Sequence, residues 1–120
     1  MKTDPLKFTD AETSCESFGG RLAEPRNQEQ FDALAAFSTQ ANIFWLGATD
    51  LLQEGLWLWS SDNTTVDLEL FWNHNEPNNQ GSSGEQCLQF RNSGLNDDGC
   101  NARFPYACEF AGIGNITLCS

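Results

Sequence analysis

Ile43-Phe44-Trp45-Leu46-Gly47 is a short apolar run of the kind that forms a buried strand. Leu56-Trp57-Leu58-Trp59 is a second such run, and Cys87-Leu88-Gln89-Phe90 resumes the same pattern further on. Near the end, Phe104, Tyr106, Cys108 and Phe110 alternate with Arg103, Pro105, Ala107 and Glu109, which predicts a half-buried strand. The segment before Ile43 reads differently. Phe8, Ala11, Cys15 and Phe18 recur at helical spacing, with Thr9 and Glu12 in the form of a capping box and Gly19-Gly20 as the stop. A second helix is predicted from about residue 27, where Asn27 and Gln30 make another capping box and Phe31, Leu34 and Ala35 share one face. Two helices followed by short strands and large loops give an α+β chain, without the strand–helix alternation of a parallel sheet and without an internal repeat.

The 120 residues suit one domain. Acidic residues number 17 against 6 basic ones, a net charge of −11. Nucleic acid and anionic membrane surfaces would repel such a chain. No apolar run reaches the roughly 18 residues of a membrane-spanning helix, so no membrane insertion is expected. With 39% hydrophobic residues, among them 4 Trp and 9 Phe, the composition is that of a folded protein.

Cys15, Cys87, Cys100, Cys108 and Cys119 show no Cys-x-x-Cys spacing, which argues against a zinc ribbon or a thioredoxin-like pair. Disulfides in an oxidising compartment are expected instead, with one cysteine left over and several pairings open. Asn63-Thr64-Thr65 and Asn115-Ile116-Thr117 are glycosylation acceptors in form, at Asn63 and Asn115. The expected location is therefore secreted or extracellular. That expectation rests on this chemistry, because no apolar leader follows Met1-Lys2-Thr3-Asp4-Pro5.

Two polar stretches, 60–85 (broken by apolar residues at 66–72) and 92–101, stand out for their length. Glu76-Pro77-Asn78, Glu85 and Asn96-Asp97 concentrate carboxylates and amide carbonyls there, the ligands that hard Ca²⁺ takes six to eight at a time. Asn, Pro, Gly and Asp are also simply the residues of turns, and the EF-hand pattern is absent. Trp45, Trp57 and Trp59 resemble a sugar-stacking platform, but apolar flanks assign them to the core. His74, the only histidine, lies two residues before Glu76, either near a bound ligand or solvated.

Taken in order, these features resemble the C-type lectin domain. Phe8, Ala11 and Cys15, then Gly19-Gly20-Arg21-Leu22, Trp45-Leu46-Gly47, Trp57-Leu58-Trp59 and Trp72 carry the likeness. Glu76-Pro77-Asn78, Cys87, Asn96-Asp97, Cys100 and Cys108-Glu109 complete it, over about residues 6 to 110. The resemblance implies a C-type lectin-like fold of two short helices, small antiparallel sheets and long calcium-binding loops over 1–110, with a tail at 111–120. It implies the bridges Cys15–Cys108 and Cys87–Cys100. It also implies a principal Ca²⁺ site at Glu76, Asn78, Glu85, Asn96 and Asp97, which is the sugar site as well. Two vicinal hydroxyls of a sugar would complete the ion's coordination there, giving protons to the carboxylates and accepting from the amides. Glu-Pro-Asn resembles the mannose, fucose and N-acetylglucosamine type. A second Ca²⁺ would use Asp50, Glu54, Asn79 and Glu85, with Gln86 standing where the family has an acid.

The implied function is Ca²⁺-dependent recognition of glycans in innate immunity or adhesion. A module of the same fold that binds a protein, ice or a mineral surface is the alternative. Catalysis is not expected, since His74 has no evident nucleophile partner. Cys119 lies beyond the family pattern and is a candidate link to a second chain in a homo-oligomer. Leu95 replaces the family's usual Trp. The strand that ordinarily precedes the first helix is missing or cut short before Pro5, which predicts an exposed sheet edge unless a terminus pairs there.

Overall fold

The computed structural model describes residues 4–36, 41–66, 86–91, 94–110 and 115–119. Two helices, α1 (Phe8–Ser17) and α2 (Gln28–Ala35), accompany seven strands in the order α1-β1-α2-β2-β3-β4-β5-β6-β7. The strands are β1 (Arg21–Leu22), β2 (Ile43–Thr49), β3 (Leu58–Trp59), β4 (Cys87–Arg91), β5 (Gly94–Asp98), β6 (Tyr106–Phe110) and β7 (Asn115–Cys119).

The helix signals are half right. Asn27 caps α2 as expected: its side chain accepts from the Gln30 amide at 2.9 Å, while Gln30 Oε1 accepts from the Arg26 amide at 2.7 Å. Asn27→Ala is expected to lower stability by about 1 kcal/mol in denaturant titration. Thr9 caps nothing, because α1 already starts at Phe8 behind Lys7, with no side-chain cap. The start is held instead by tertiary bonds, Phe8 N–H to Cys100 O at 3.1 Å and Leu6 N–H to Phe104 O at 3.0 Å. Gly19 ends α1 at φ +83°, a backbone angle that other residues rarely adopt.

The small sheets of the expectation are joined as one. The order is β1-β6-β2-β4-β5, with β3 added to β2 and β7 to β6. Every pairing is antiparallel except β2 with β6, which meet in parallel at Trp45 and Tyr106. Side chains alternate across a strand, so β2 feeds two interiors. Phe44, Leu46 and Ala48 enter a core with Phe31 and Leu34 of α2, Trp57, Trp59, Leu88, Phe90 and Leu95. Trp45 enters the other, with Phe8, Ala11 and Cys15 of α1. Phe44 and Phe90 face each other across β2 and β4 with rings stacked 4.8 Å apart. The three tryptophans of the apolar runs are thus core residues, and Leu95 is buried among them. Gly47 lets β2 pass beneath the segment after β1: its N–H reaches Ala23 O at 2.9 Å, and a Cβ there would lie 2.9 Å from Leu22 O.

Polar composition concealed one strand. Of the stretch expected as a loop over 92–101, residues Gly94–Asp98 are β5, in continuous register with β4 from Arg91↔Gly94 to Cys87↔Asp98. The ladder supplies the backbone bonds that let Asn96 and Asp97 be buried there.

Both bridges implied by the resemblance are present, Cys15–Cys108 with Cα atoms 5.5 Å apart and Cys87–Cys100 with 5.3 Å. By loop-closure entropy, sequence separations of 93 and 13 residues correspond to about 4.6 and about 2.9 kcal/mol. Within the tail, β7 pairs with β6 from Phe110↔Asn115 to Tyr106↔Cys119 and covers an edge that would otherwise be open. This pairing buries Cys119 in the α1-side core, so the thiol is not offered to a second chain. Burial also pushes the Cys119 thiol above its ordinary pKa, which makes it a poor nucleophile. The native protein is therefore expected to be silent to an aromatic disulfide reagent at neutral pH. One thiol per chain should appear once denaturant releases β7.

Candidate functional site

β2 is irregular where it approaches the polar loops. It pairs Trp45 with Gln89 but Thr49 with Cys87, so it carries extra residues in a bulge against β4. The bulge delivers Asp50 to the strand end, where its N–H meets Gln86 O at 3.1 Å. A tight loop follows. Gly55, at φ +83°, turns its N–H back to Asp50 Oδ2 at 2.9 Å, and Leu56 N–H reaches Gln53 O at 2.9 Å.

Asp50 is 1% exposed, and its other oxygen, Oδ1, is buried with no hydrogen-bond donor. A buried carboxylate oxygen left so is costly, because it has lost water without replacement. The carboxyl of Glu54 lies against it. Glu54 is held above the ordinary carboxylate pKa first by sharing a proton with Asp50, then by burial and by the negative charges of Asp50 and Asp97. Asp97 belongs to β5 and is also buried. The charge of Asp97, on a separate segment, thus reaches Glu54. Among the described residues, no group of three or more His, Cys, Asp and Glu side chains encloses a metal position by itself.

Asn96 turns the other way, as the alternation of β5 requires. It pairs in register with Gln89 of β4, and its Nδ2 donates to Gln89 Oε1 at 2.7 Å. Gln89 is wholly buried and its own Nε2 finds no acceptor. Of the sequence-predicted ligands, Asp50, Glu54, Asn96 and Asp97 lie among the described residues; Glu54 lies against Asp50 and feels the charge of Asp97, and Asn96 joins Gln89. Glu76, Asn78, Asn79 and Glu85, together with His74, fall outside the described residues.

The chain leading into that segment is clamped. Arg26 Nη2 meets Glu24 Oε1 at 2.6 Å and Asp62 Oδ1 at 3.0 Å, while Nη1 meets Asp62 Oδ2 at 2.9 Å. Its guanidinium also lies 5.6 Å from the Trp59 ring. The Glu24 side chain is 1% exposed and takes the Ser61 N–H at 2.9 Å as well. The Arg26 guanidinium, followed by hydrogen bonds from Thr64, holds the Asp62 carboxyl well below the usual range. Asn63 sits exposed in this turn at φ +58°. Sequence reasoning missed both Gln89 and this clamp. The available signals were an amide inside the apolar Cys87-Leu88-Gln89-Phe90 run, and one of only six basic residues placed beside a capped helix.

Comparison with known proteins bears on the fold. The family model for the lectin C-type domain matches residues 4–110. The CD209 antigen-like protein 2 of Macaca mulatta is 35% identical over 102 residues, covering 83% of this chain and 39% of that protein. The chain thus spans well under half the length of that relative. The carbohydrate-recognition domain of cow CD23, solved in the presence of a GlcNAc2Man3 oligosaccharide, superposes with a TM-score of 0.74 at 28% identity. That likeness covers 97% of this chain and 83% of the cow domain. A calcium-independent type II antifreeze protein superposes with a TM-score of 0.72 at 27% identity, over 88% of this chain and 78% of that one.

Proposed function

Because the chain belongs to the C-type lectin domain family, we propose that it is a Ca²⁺-dependent carbohydrate-binding domain for mannose-, fucose- or N-acetylglucosamine-type sugars. The observation that carries this reading is the buried Asp50 carboxylate, whose Oδ1 has no hydrogen-bond donor, against Glu54. Crowded carboxylates with a free inward oxygen fit a hard divalent cation in donor chemistry. Glu54 and Asp50, with Asn79 and Glu85, would hold one ion, weakened by Gln86 at the place of a further acid. Glu76, Asn78, Glu85, Asn96 and Asp97 would hold the principal one.

Bound calcium supplies coordination positions that two vicinal sugar hydroxyls can fill. The chain's own part is directional. Glu76 and Glu85 accept the hydroxyl protons, while the Asn78 and Asn96 amides donate to the hydroxyl oxygens. One N–H of Asn96 is committed to Gln89, and a primary amide keeps a second for a ligand. Such a site acts by binding alone, and the reading assigns the chain no catalytic step. Two bridges and the acceptors Asn63 and Asn115 support a secreted or extracellular setting. Among the described residues, no helix is long and apolar enough to cross a membrane. Contact with two hydroxyls buries little area, so strong adhesion to glycans, in innate immunity or elsewhere, would need several sites held together.

The test is retention on mannose-agarose in calcium buffer and release by EDTA. The likeness to a calcium-independent antifreeze protein favours a second reading, in which the same scaffold binds a surface other than sugar. Flow-through in calcium buffer would favour that one.

Acid should release the sugar. Ligands must be ionised to hold calcium, and Glu54 takes its proton above the ordinary value of 4.5. Calcium affinity at the Asp50 and Glu54 position is therefore expected to decline while pH is still above 4.5, and retention on the column to be lost by about pH 4.5 as the carboxylates of the principal site protonate as well. Retention unchanged at that pH would contradict this assignment of the ligands.

A further inference from the structure

A fully buried glutamine is an expensive choice for a central strand. Gln89 lies between Leu88 and Phe90, both core residues, and pairs with Trp45 on one side and Asn96 on the other. An apolar residue would fill the same place without stranding an N–H, and replacing a buried polar pair by apolar groups is often nearly neutral for stability. Packing therefore does not account for Gln89, and its one hydrogen bond does the explaining.

That bond has a polarity. Gln89 offers its carbonyl oxygen, so Asn96 must point an N–H inward. A half-turn of the Asn96 amide would set two carbonyl oxygens against each other. Among the described residues, Asn96 Oδ1 receives no hydrogen bond, so the oxygen and the second N–H are what Asn96 has left to offer. A cation needs the oxygen and a sugar hydroxyl needs the N–H.

We propose that Gln89 is a positioning residue: by accepting from Asn96 Nδ2 it holds the Asn96 side chain in the orientation that it offers to the ligand. The inference rests on the reading of Asn96 as a calcium and sugar ligand, and it adds a residue that touches neither.

Two substitutions in the full chain test it. Gln89→Met removes the acceptor at similar volume, and Gln89→Glu keeps a carbonyl acceptor at the same length, its carboxyl neutral when buried. Calorimetric titration with calcium and then methyl α-mannoside should show about tenfold or greater weakening for Gln89→Met, since loss of a partner that orients a ligand typically has that effect. Gln89→Glu should bind within about threefold of the parent. A purely structural role would instead lower the melting temperature of Gln89→Met, which is expected unchanged or higher.

A readout without metal or sugar accompanies this. In calcium-free protein, one of the two Asn96 side-chain N–H resonances should be slow to exchange with solvent. That protection should be lost in Gln89→Met. The inference is overturned if folded Gln89→Met binds like the parent, if Gln89→Glu folds but binds as poorly as Gln89→Met, or if the Asn96 resonances do not respond. If Gln89→Glu does not fold, the Asn96 resonances decide. Should the parent protein take neither calcium nor mannoside, the lectin reading fails. The resonances would then still report whether Gln89 holds Asn96.

Discussion

Asp50→Asn is expected to raise the melting temperature of the calcium-free protein while removing the second ion's share of its response to calcium. The opposite signs follow from the site. Without a cation, the Asp50 charge opposes Glu54 and Asp97, and its Oδ1 is buried without a donor. An asparagine keeps an oxygen for the Gly55 N–H now bound at 2.9 Å and turns a donor toward Glu54. Relief of that repulsion should raise the midpoint by about 3 °C. In the parent protein, calcium at a hundred times its dissociation constant adds about 2.7 kcal/mol, or about 10 °C for a domain of this size. Asp50→Asn should lose the part of that increment that the second ion supplies. Differential scanning fluorimetry with EDTA and with calcium reads both effects. A fall in the calcium-free midpoint would show that Asp50 serves the fold rather than a cation.

Trp45→Ala is expected to be the most damaging substitution for the fold. The residue is wholly buried, and its ring meets Phe8 edge-on at 5.7 Å and Phe104 at 5.2 Å. Its Nε1 donates to Leu6 O at 2.9 Å, which ties the chain before α1 to the sheet. Truncation would leave a large cavity and an unpaired carbonyl, at a cost of about 3–5 kcal/mol. That is a large part of the 5–15 kcal/mol typical of a whole domain. Urea unfolding should show the midpoint falling with the slope unchanged. A loss under about 1 kcal/mol would mean that this interior is far less tightly packed than described.

How legible these features were in the sequence depended on whether a residue's role was local. Asn27 could be read because a cap and its Gln30 partner lie within one turn. Thr9 had the same local pattern, yet α1 began earlier because Phe8 is anchored through Cys100 O, 92 residues away. The buried strands β2 and β3 were legible from apolar runs alone. β5 was not, since Asn96 and Asp97 look like loop residues until β4 lies beside them. β7 carried a faint signal, Ile116 and Leu118 alternating with polar neighbours, but nothing local says that it will cover β6. The pairing of the cysteines came from the likeness to a family and not from spacing. At the site, candidate ligands were legible through residue type, and Glu54 does lie against Asp50. The part of Gln89 was hidden, because a glutamine's function there depends on which strand faces it.

Calorimetric titration of the metal-free protein with calcium at neutral pH, followed by methyl α-mannoside with and without EDTA, tests the calcium-dependent sugar site most directly. Saturable calcium binding and a mannoside isotherm that disappears on chelation are the predicted results. Mannoside binding that survives EDTA, or calcium uptake with no heat from any mannose-, fucose- or N-acetylglucosamine-type sugar, would contradict it.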